Sequence, residues 1–395
     1  AEEIFLDAKN LPDFDTQQFE GQIEKPISRG AIFAIGAVFS LIAIVFGGKL
    51  WSLQVAESRT YKELAENNSL SSEPIFASRG SINDRNGIPL AWNGTKTDDE
   101  PWGVRTYIEK SGFAHLLGYV SYPAKDKSGN YWQKDIIGKA GVEKQYNTEL
   151  AGINGSNIVE RDISGKKQGG NMVNPAIAGK NLTLTIDSRV QSELYKELAR
   201  AMSDQGFRSA SGLMMDVHTG EIIAMTNVPE YDSNIMSLGD DVKTIRHYLS
   251  ASNTPLMNRS ISGLFTPGSI MKPYVALEAL HENIISPNKK IESRGSISIP
   301  NPYFPDQPSI FRDYNKDNGW VDMREALELS SNIYFFNIGG GYRDQKGMGI
   351  YNIGKSWRRF HITEKTGIDL PNENTGNIPT PEWKAEKFPG EVWRL

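Results

Sequence analysis

From residue 31 to residue 48 the chain is uncharged, between Arg29 and Lys49, and Trp51 follows as an interfacial anchor. With its flanks this stretch is close to the ~20 residues that a bilayer-crossing helix needs. A cleaved signal peptide fits less well, because the polar leader of 30 residues is too long and no Ala-x-Ala site follows. Residues 50–68 continue as a polar helix. Asp84-Arg85-Asn86-Gly87 is a turn of the kind that joins hairpin strands, 115–120 is a short apolar run, and 181–186 alternates as a strand. A helix is predicted over 188–202. The segments 212–217 and 221–226, joined by His218-Thr219-Gly220, read as a hairpin apolar on both faces and therefore buried. After the Pro267-Gly268 turn, Ile270, Tyr274, Leu277 and Leu280 recur at helical spacing, with Val275 and Ala276 beside them. Residues 312–318 form a polar loop, and 323–329 start a helix that runs into Ser330-Ser331-Asn332 and the apolar 333–336.

Composition narrows the chemistry. A chain of 395 residues has room for two domains or more. Its net charge of −5 and lack of a Lys/Arg-rich block argue against nucleic-acid binding. Cysteine is absent, which removes disulfides, thiol nucleophiles and cysteine metal sites. The five histidines are scattered, with no His-Glu-x-x-His and no Gly-x-Ser-x-Gly, and are expected to be surface or packing residues. Charge leaves the orientation of the span undecided: Lys25 and Arg29 precede it, while Lys49, Arg59 and Lys62 follow. A short leader before a large C-terminal part favours export of the latter.

One string carries reactive potential. In Phe265-Thr266-Pro267-Gly268-Ser269-Ile270-Met271-Lys272-Pro273, Ser269 and Lys272 are three apart and share one face of a helix's first turn. Pro273 is tolerated there because it removes no intrahelical hydrogen bond. The positive end of the helix dipole, together with desolvation, favours a neutral lysine, and a neutral amine can deprotonate a serine hydroxyl. Ser-x-x-Lys is a weak signal alone, since Ser164…Lys167 and Ser286…Lys289 repeat it in polar loops. Only the copy at Ser269 opens an apolar helix.

Further strings set that pair in a family context. Arg79-Gly80-x-Ile82-x-Asp84-Arg85-Asn86-Gly87 with Leu90-Ala91 resembles the pedestal motif of class B penicillin-binding proteins. Thr254-Pro255-Leu256-Met257-Asn258-Arg259 followed by Pro267 to Pro273 is similar to their acylation motif and its approach, and Ser330-Ser331-Asn332 to their second motif. Thr366-Gly367-Ile368-Asp369-Leu370-Pro371 and Pro379-Thr380-Pro381-Glu382-Trp383-Lys384 are similar to the segments that follow. Residues 115–120 and Asn258-Arg259 fit the elongation type, penicillin-binding protein 2, better than the division type. Each motif is weak alone; their order along the chain is what makes the resemblance strong.

The resemblance implies an α+β fold: a single N-terminal transmembrane helix, an elongated β-rich pedestal domain, and a penicillin-binding domain of the serine transpeptidase/β-lactamase type with a mostly antiparallel sheet flanked by helices. The expected divisions are a cytoplasmic tail at 1–30, an anchor at 31–51, a pedestal with a reduced head at 52–185 and a transpeptidase domain at 186–395. The implied chemistry is D,D-transpeptidation of peptidoglycan stem peptides at the bacterial inner membrane. Ser269 would be the acylated nucleophile and Lys272 its base. Ser330 would pass a proton to the departing D-alanine, and Asn332 would hold the substrate amide. β-Lactams would acylate the same serine. No cofactor or metal is implied. The implied partners are lipid-linked nascent glycan with its stem peptides, the membrane, a SEDS-family glycan polymerase and other elongation-complex proteins, without nucleic acid.

Two departures from the family pattern stand out. The only Lys-Thr-Gly, Lys365-Thr366-Gly367, lies 35 residues after Ser330 and continues as Ile-Asp-Leu, so it is not the family's third motif. The chain is expected to stop at Leu395 before the strands that carry that motif, and a fragment lacking them should be a poor transpeptidase. The head insertion between Ala91 and His115 is also nearly gone. Two competing readings are a non-catalytic scaffold with the same fold and a membrane β-lactam sensor. The scaffold predicts decayed active-site motifs; the sensor predicts several spans and a metalloprotease helix.

Overall fold

The computed structural model describes residues 29–57, 70–97, 100–127, 129, 131–161, 167–301, 306–314, 317–391 and 393. Two compact units divide the chain, Ala1–Glu73 with Asn157–Val173, and Pro74–Ser156 with Asn174–Leu395. The expected tail lies mostly outside the described residues.

In the first unit a helix spans Arg29–Trp51 and continues through a π-helical turn at Ser52–Ala56. Its segment Ile32–Val55 is 24 residues long with a mean hydropathy of 2.1, and none of it is buried. At 1.5 Å per residue that length is about 36 Å, enough to cross a hydrocarbon core of about 30 Å. Among the described residues it is the one helix long and apolar enough to do so. The polar helix expected over 50–68 is described only as far as residue 57. A three-stranded sheet belongs largely to this unit, with Gly155–Arg161 between Leu70–Ile75 and Lys167–Asn174.

The second unit begins with a four-stranded sheet ordered Leu182–Thr183, Ile82–Asn83, Pro89–Asn93, Arg105–Tyr107. The Asp84–Gly87 turn forms as expected. The Asp84 carboxylate accepts N–H bonds from Asn86 at 2.8 Å and Ile88 at 2.9 Å, and Gly87 adopts φ +80°. The other Asp84 oxygen accepts the Ser188 hydroxyl at 2.7 Å and the Ser188 N–H at 3.1 Å, so the turn is tied to the start of the helix Ser188–Gln205. Arg79 owes its place in the same motif to burial: it and Arg105 clamp Glu143 at 2.6 and 2.7 Å, all three side chains fully buried. Gly80 is required because a Cβ there would lie 1.8 Å from the Lys180 carbonyl oxygen. The core continues without a break from this sheet into the next segment, joining Ile82, Leu90, Leu117 and Val142 to Ile186, Met225 and Leu370.

The expected hairpin forms from Ala210–Met215 and Ile222–Val228, antiparallel, but only its second strand is buried. Leu213, Met214 and Met215 are about half exposed. The two strands form a sheet of their own, so the first is an edge strand whose apolar side chains have no neighbouring strand among the described residues.

A second core packs the helix Lys272–His281 against Met323–Glu328 and Asn332–Gly340. Its inward face is not the expected Ile270/Tyr274/Leu277/Leu280 stripe. Ala276 and Ala279 face in, while Ile270 and Leu277 are 70% and 55% exposed. Small residues there let the helices approach closely. Glu278, buried in the same turn, is matched by Arg359 at 3.1 Å. This close packing brings Lys272 to Ser330 and Asn332.

Candidate active site

The Pro267-Gly268 turn begins with Gly268 at φ +64° and tightens into a 3-10 turn, Gly268–Met271, before the α-helix opens at Lys272. Ser269 therefore lies on the 3-10 turn, exposed, and Lys272 on the first α-helical position. The helix breaks into two kinds of turn where Pro273, at the second position, supplies no N–H.

The second motif occupies the junction between two helices. Asp322 and Glu325 close a capping box that starts Met323–Glu328. Ser330 then takes φ +53°, a left-handed conformation that costs a non-glycine residue about 1–3 kcal/mol. Ser331 caps the next helix, its hydroxyl accepting the Tyr334 N–H at 3.2 Å. The capping role that a serine in this motif could serve thus falls to Ser331, and the Ser330 hydroxyl is left to point at Ser269.

All four residues singled out in the sequence meet here. Lys272 Nζ donates to the Ser330 carbonyl at 2.5 Å, the Ser330 hydroxyl at 3.0 Å and Asn332 Oδ1 at 2.7 Å. The Ser330 hydroxyl in turn donates to Ser269 Oγ at 3.1 Å. Ser269 and Lys272 share no direct hydrogen bond, so the path from the Ser269 hydroxyl to the amine runs through Ser330 rather than straight across the helix turn. Three acceptors match the three protons of an ammonium. Loss of one proton leaves two N–H donors for the Ser330 carbonyl and Asn332, and a lone pair facing Ser330 Oγ. Burial lowers the Lys272 pKa below the usual lysine range, against an opposing pull from the Asp313 carboxylate. The Phe335 ring, 5.6 Å from Nζ, also favours the cation.

Asp313 was not visible as part of the site in the sequence, where it sits in a polar loop after the strand Ser309–Arg312. One of its oxygens accepts the Asn332 N–H at 2.7 Å, and the other accepts the Ser331 and Ser293 hydroxyls at 2.9 and 2.6 Å. The other two Ser-x-x-Lys strings are not assembled this way. Ser164 lies outside the described residues, and Ser286 is exposed in a loop while Lys289 bonds Gln345 at 2.8 Å.

A groove of about 1610 Å³ runs along the hairpin and past Thr266, Gly268 and Met271, but Ser269, Lys272, Ser330 and Asn332 do not line it. Among the described residues no cluster of His, Asp and Glu could hold a metal. His115 is a packing residue. It is buried, bonded to the Pro255 carbonyl at 2.7 Å, and its pKa is lowered to about 4 by desolvation.

Comparison with known proteins places this geometry in a family. Residues 210–390 match the penicillin binding protein transpeptidase domain and residues 99–184 the penicillin-binding protein dimerisation domain. The chain is 32% identical over 298 residues to the peptidoglycan D,D-transpeptidase MrdA of Haemophilus influenzae, covering 73% of this chain and 43% of that one. A crystal structure of Pseudomonas aeruginosa PBP2 with WCK 5153 superposes with a TM-score of 0.63 at 30% identity, over 82% of this chain and 64% of that one. PBP2 of Helicobacter pylori in complex with MreC shares the fold, with a TM-score of 0.62 at 24% identity over 82% of this chain and 71% of that one. The chain thus spans less than two thirds of the Haemophilus and Pseudomonas relatives. With both domain matches in the order that the motifs require, and an α+β fold shared with PBP2, the chain belongs to the penicillin-binding proteins.

Proposed function

We propose that the chain is the serine D,D-transpeptidase of cell-wall elongation, cross-linking peptidoglycan stem peptides, with Ser269, Lys272, Ser330 and Asn332 as its catalytic residues. The observation that carries this is the hydrogen-bonded path Ser269–Ser330–Lys272, with Asn332 on the same amine. Ser269 Oγ attacks the carbonyl of the penultimate D-alanine. Its proton passes through the Ser330 hydroxyl to neutral Lys272. The bond to the terminal D-alanine breaks, and the proton returns by the same path to the departing amine. An amine from a neighbouring stem peptide then attacks the ester and restores Ser269. Dividing one displacement into two ester steps is what a covalent nucleophile contributes. The scaffold reading is disfavoured because the four residues keep hydrogen-bonded positions that a mere docking fold has no need of.

The domain scheme follows the same reading: a cytoplasmic tail at 1–30, an anchor at 31–51, a pedestal at 52–185 and a transpeptidase domain from 186, the last two outside the cytoplasmic membrane. The substrate supports this orientation, since peptidoglycan is cross-linked on that side. A SEDS-family glycan polymerase and other elongation-complex proteins are the proposed partners.

The test uses the full chain in detergent and a fluorescent penicillin. Ser269→Ala abolishes labelling. Lys272→Ala slows it by roughly 10²–10⁴, the usual worth of general-base assistance. Ser164→Ala and Ser286→Ala leave it intact. Labelling that survives Ser269→Ala would overturn the assignment.

A further inference from the structure

One carboxylate behind the site has no part in the scheme above, yet it touches both residues that follow Ser330. Asp313 Oδ2 accepts the hydroxyls of Ser293 and Ser331 at 2.6 and 2.9 Å and Asn318 Nδ2 at 3.1 Å. Oδ1 accepts the N–H groups of Asn332 at 2.7 Å and Tyr314 at 3.2 Å. Ser293 and Ser331 are completely buried, and their hydroxyl oxygens lie 2.9 Å apart, so one of the two protons is shared between that contact and the carboxylate. The aspartate itself is anchored from behind, its own N–H donating to the Gly295 carbonyl at 2.9 Å. Asn332 is pinned from a second direction, since its Nδ2 donates to the Arg312 carbonyl at 3.2 Å.

We propose that Asp313 is a positioning residue of this site: its carboxylate, shared among Ser293, Asn318, Ser331 and the Asn332 amide, fixes the turn that carries Ser330 and Asn332, and its charge acts on the Lys272 amine. The inference rests on the proposed roles of Ser269 and Lys272. Two physical features support it. First, Ser330 holds a left-handed conformation, and such strain persists only where the surroundings over-determine it. Two backbone bonds, Ser330 N–H to Leu327 and Ser331 N–H to Ala326, fix the turn on one side, and Asp313 fixes it on the other. Second, among the described residues the groups that touch Lys272 are neutral, namely Ser330, Asn332 and the Phe335 ring, and Asp313 supplies the charge that acts on it. Burial tends to raise the Asp313 pKa, but the bonds from Ser293, Asn332 and Ser331 outweigh it and hold the group below the usual aspartate range. Asp313 therefore stays ionised while Lys272 titrates, and it opposes the burial that lowers the lysine. The two functions, shape and charge, predict different behaviour in different variants.

Asp313→Asn keeps the size of the side chain but removes its charge and turns one acceptor oxygen into a donor that faces donors; Asp313→Glu keeps the charge and disturbs the shape. Second-order acylation of the full chain by a fluorescent penicillin is followed against pH, with Ser269→Ala as the blank. In Asp313→Asn the acidic limb moves to lower pH, because an amine without a nearby carboxylate loses its proton more readily, and the plateau falls. In Asp313→Glu the limb stays and the plateau falls by roughly 10–100-fold, the scale expected when catalytic groups are misplaced. Ser293→Ala, which removes one donor and no charge, behaves like Asp313→Glu and serves if either aspartate variant fails to fold. A wild-type plateau in Asp313→Asn, or limbs that move together in the asparagine and glutamate variants, overturns the proposal. A Lys272 titration by NMR of the 13Cε-labelled lysine separates this result from the fate of the catalytic assignment. If the wild type takes no label, or Ser269→Ala still does, the proposed function fails. A lower Lys272 midpoint in Asp313→Asn than in Asp313→Glu then still supports the aspartate's role, and equal midpoints overturn it.

Discussion

At the residue scale, the pedestal motif is an electrostatic device. The Glu143 carboxylate receives Arg79 Nε on one oxygen and Arg105 Nε on the other. Three of the four remaining Arg79 donors reach the carbonyls of Ile136 and Glu143 and Asn147 Oδ1. With all three side chains sealed from water, no solvent can substitute for a missing charge. Glu143→Gln leaves two buried guanidinium groups facing one neutral amide whose NH₂ points at a donor. Breaking such a buried pair from one side costs about 3–5 kcal/mol. The urea midpoint of the full chain in detergent should fall accordingly, whereas Glu193→Gln, in an exposed pair with Lys196, should leave it nearly unchanged. A midpoint for Glu143→Gln within the scatter of the exposed control would mean that the triad contributes little. The sequence displayed Arg79 as part of a string but gave no hint of its partner, since Glu143 lies 64 positions away.

At the element scale, what was legible was what depends on neighbours in sequence. The Asp84–Gly87 turn, the helix that Asp187 caps and the junction at Ser330 to Asn332 all follow from local chemistry. The buried face of Lys272–His281 did not, because it is decided by which side of the helix meets Asn332–Gly340, and large apolar residues ended on the outside. The same applies to Asp313, whose partners Ser293, Ser331 and Asn332 come from two other segments. Another long-range contact of this kind carries a pH dependence. Glu230 accepts the N–H groups of Gly112 at 2.6 Å and Ala114 at 3.1 Å, docking the short helix Ala114–Leu117. Burial pushes its carboxyl up to about 7, only partly offset by those two bonds. The folded chain therefore holds this proton more tightly than the unfolded one. The contribution to stability is full below the ordinary value of 4.5 and is lost as pH rises through about 7. His115 works in the opposite sense, since its lowered value makes stability rise with pH up to about 6.5. The informative quantity is thus a difference. Between pH 5 and pH 8 the melting temperature of the wild type should fall relative to that of Glu230→Gln, and parallel curves would refute the assignment.

At the scale of the whole molecule, the proposed chemistry and the membrane constrain each other. The helix Ile32–Val55 exposes Phe33, Phe39, Ile44 and Phe46 along its length, and among the described residues none buries them. Lipid is the environment in which such a surface costs nothing, and a helix satisfies its backbone there without help. Charge on the two flanks does not choose a direction, but the proposed substrate does: cross-linking of stem peptides would require Ser269 on the wall side. Residues after the span should then be outside and residues before it inside. The absence of cysteine makes this measurable without background, because a single introduced thiol is the only one in the chain. Asp240→Cys places that thiol at an exposed position of the second unit, and Gln22→Cys places it before the span. A membrane-impermeant maleimide added to intact spheroplasts should label Asp240→Cys at once and Gln22→Cys only after lysis. The reverse pattern would put Ser269 in the cytoplasm, out of reach of peptidoglycan. It would rule out transpeptidation however well the Ser269–Ser330–Lys272 path is formed.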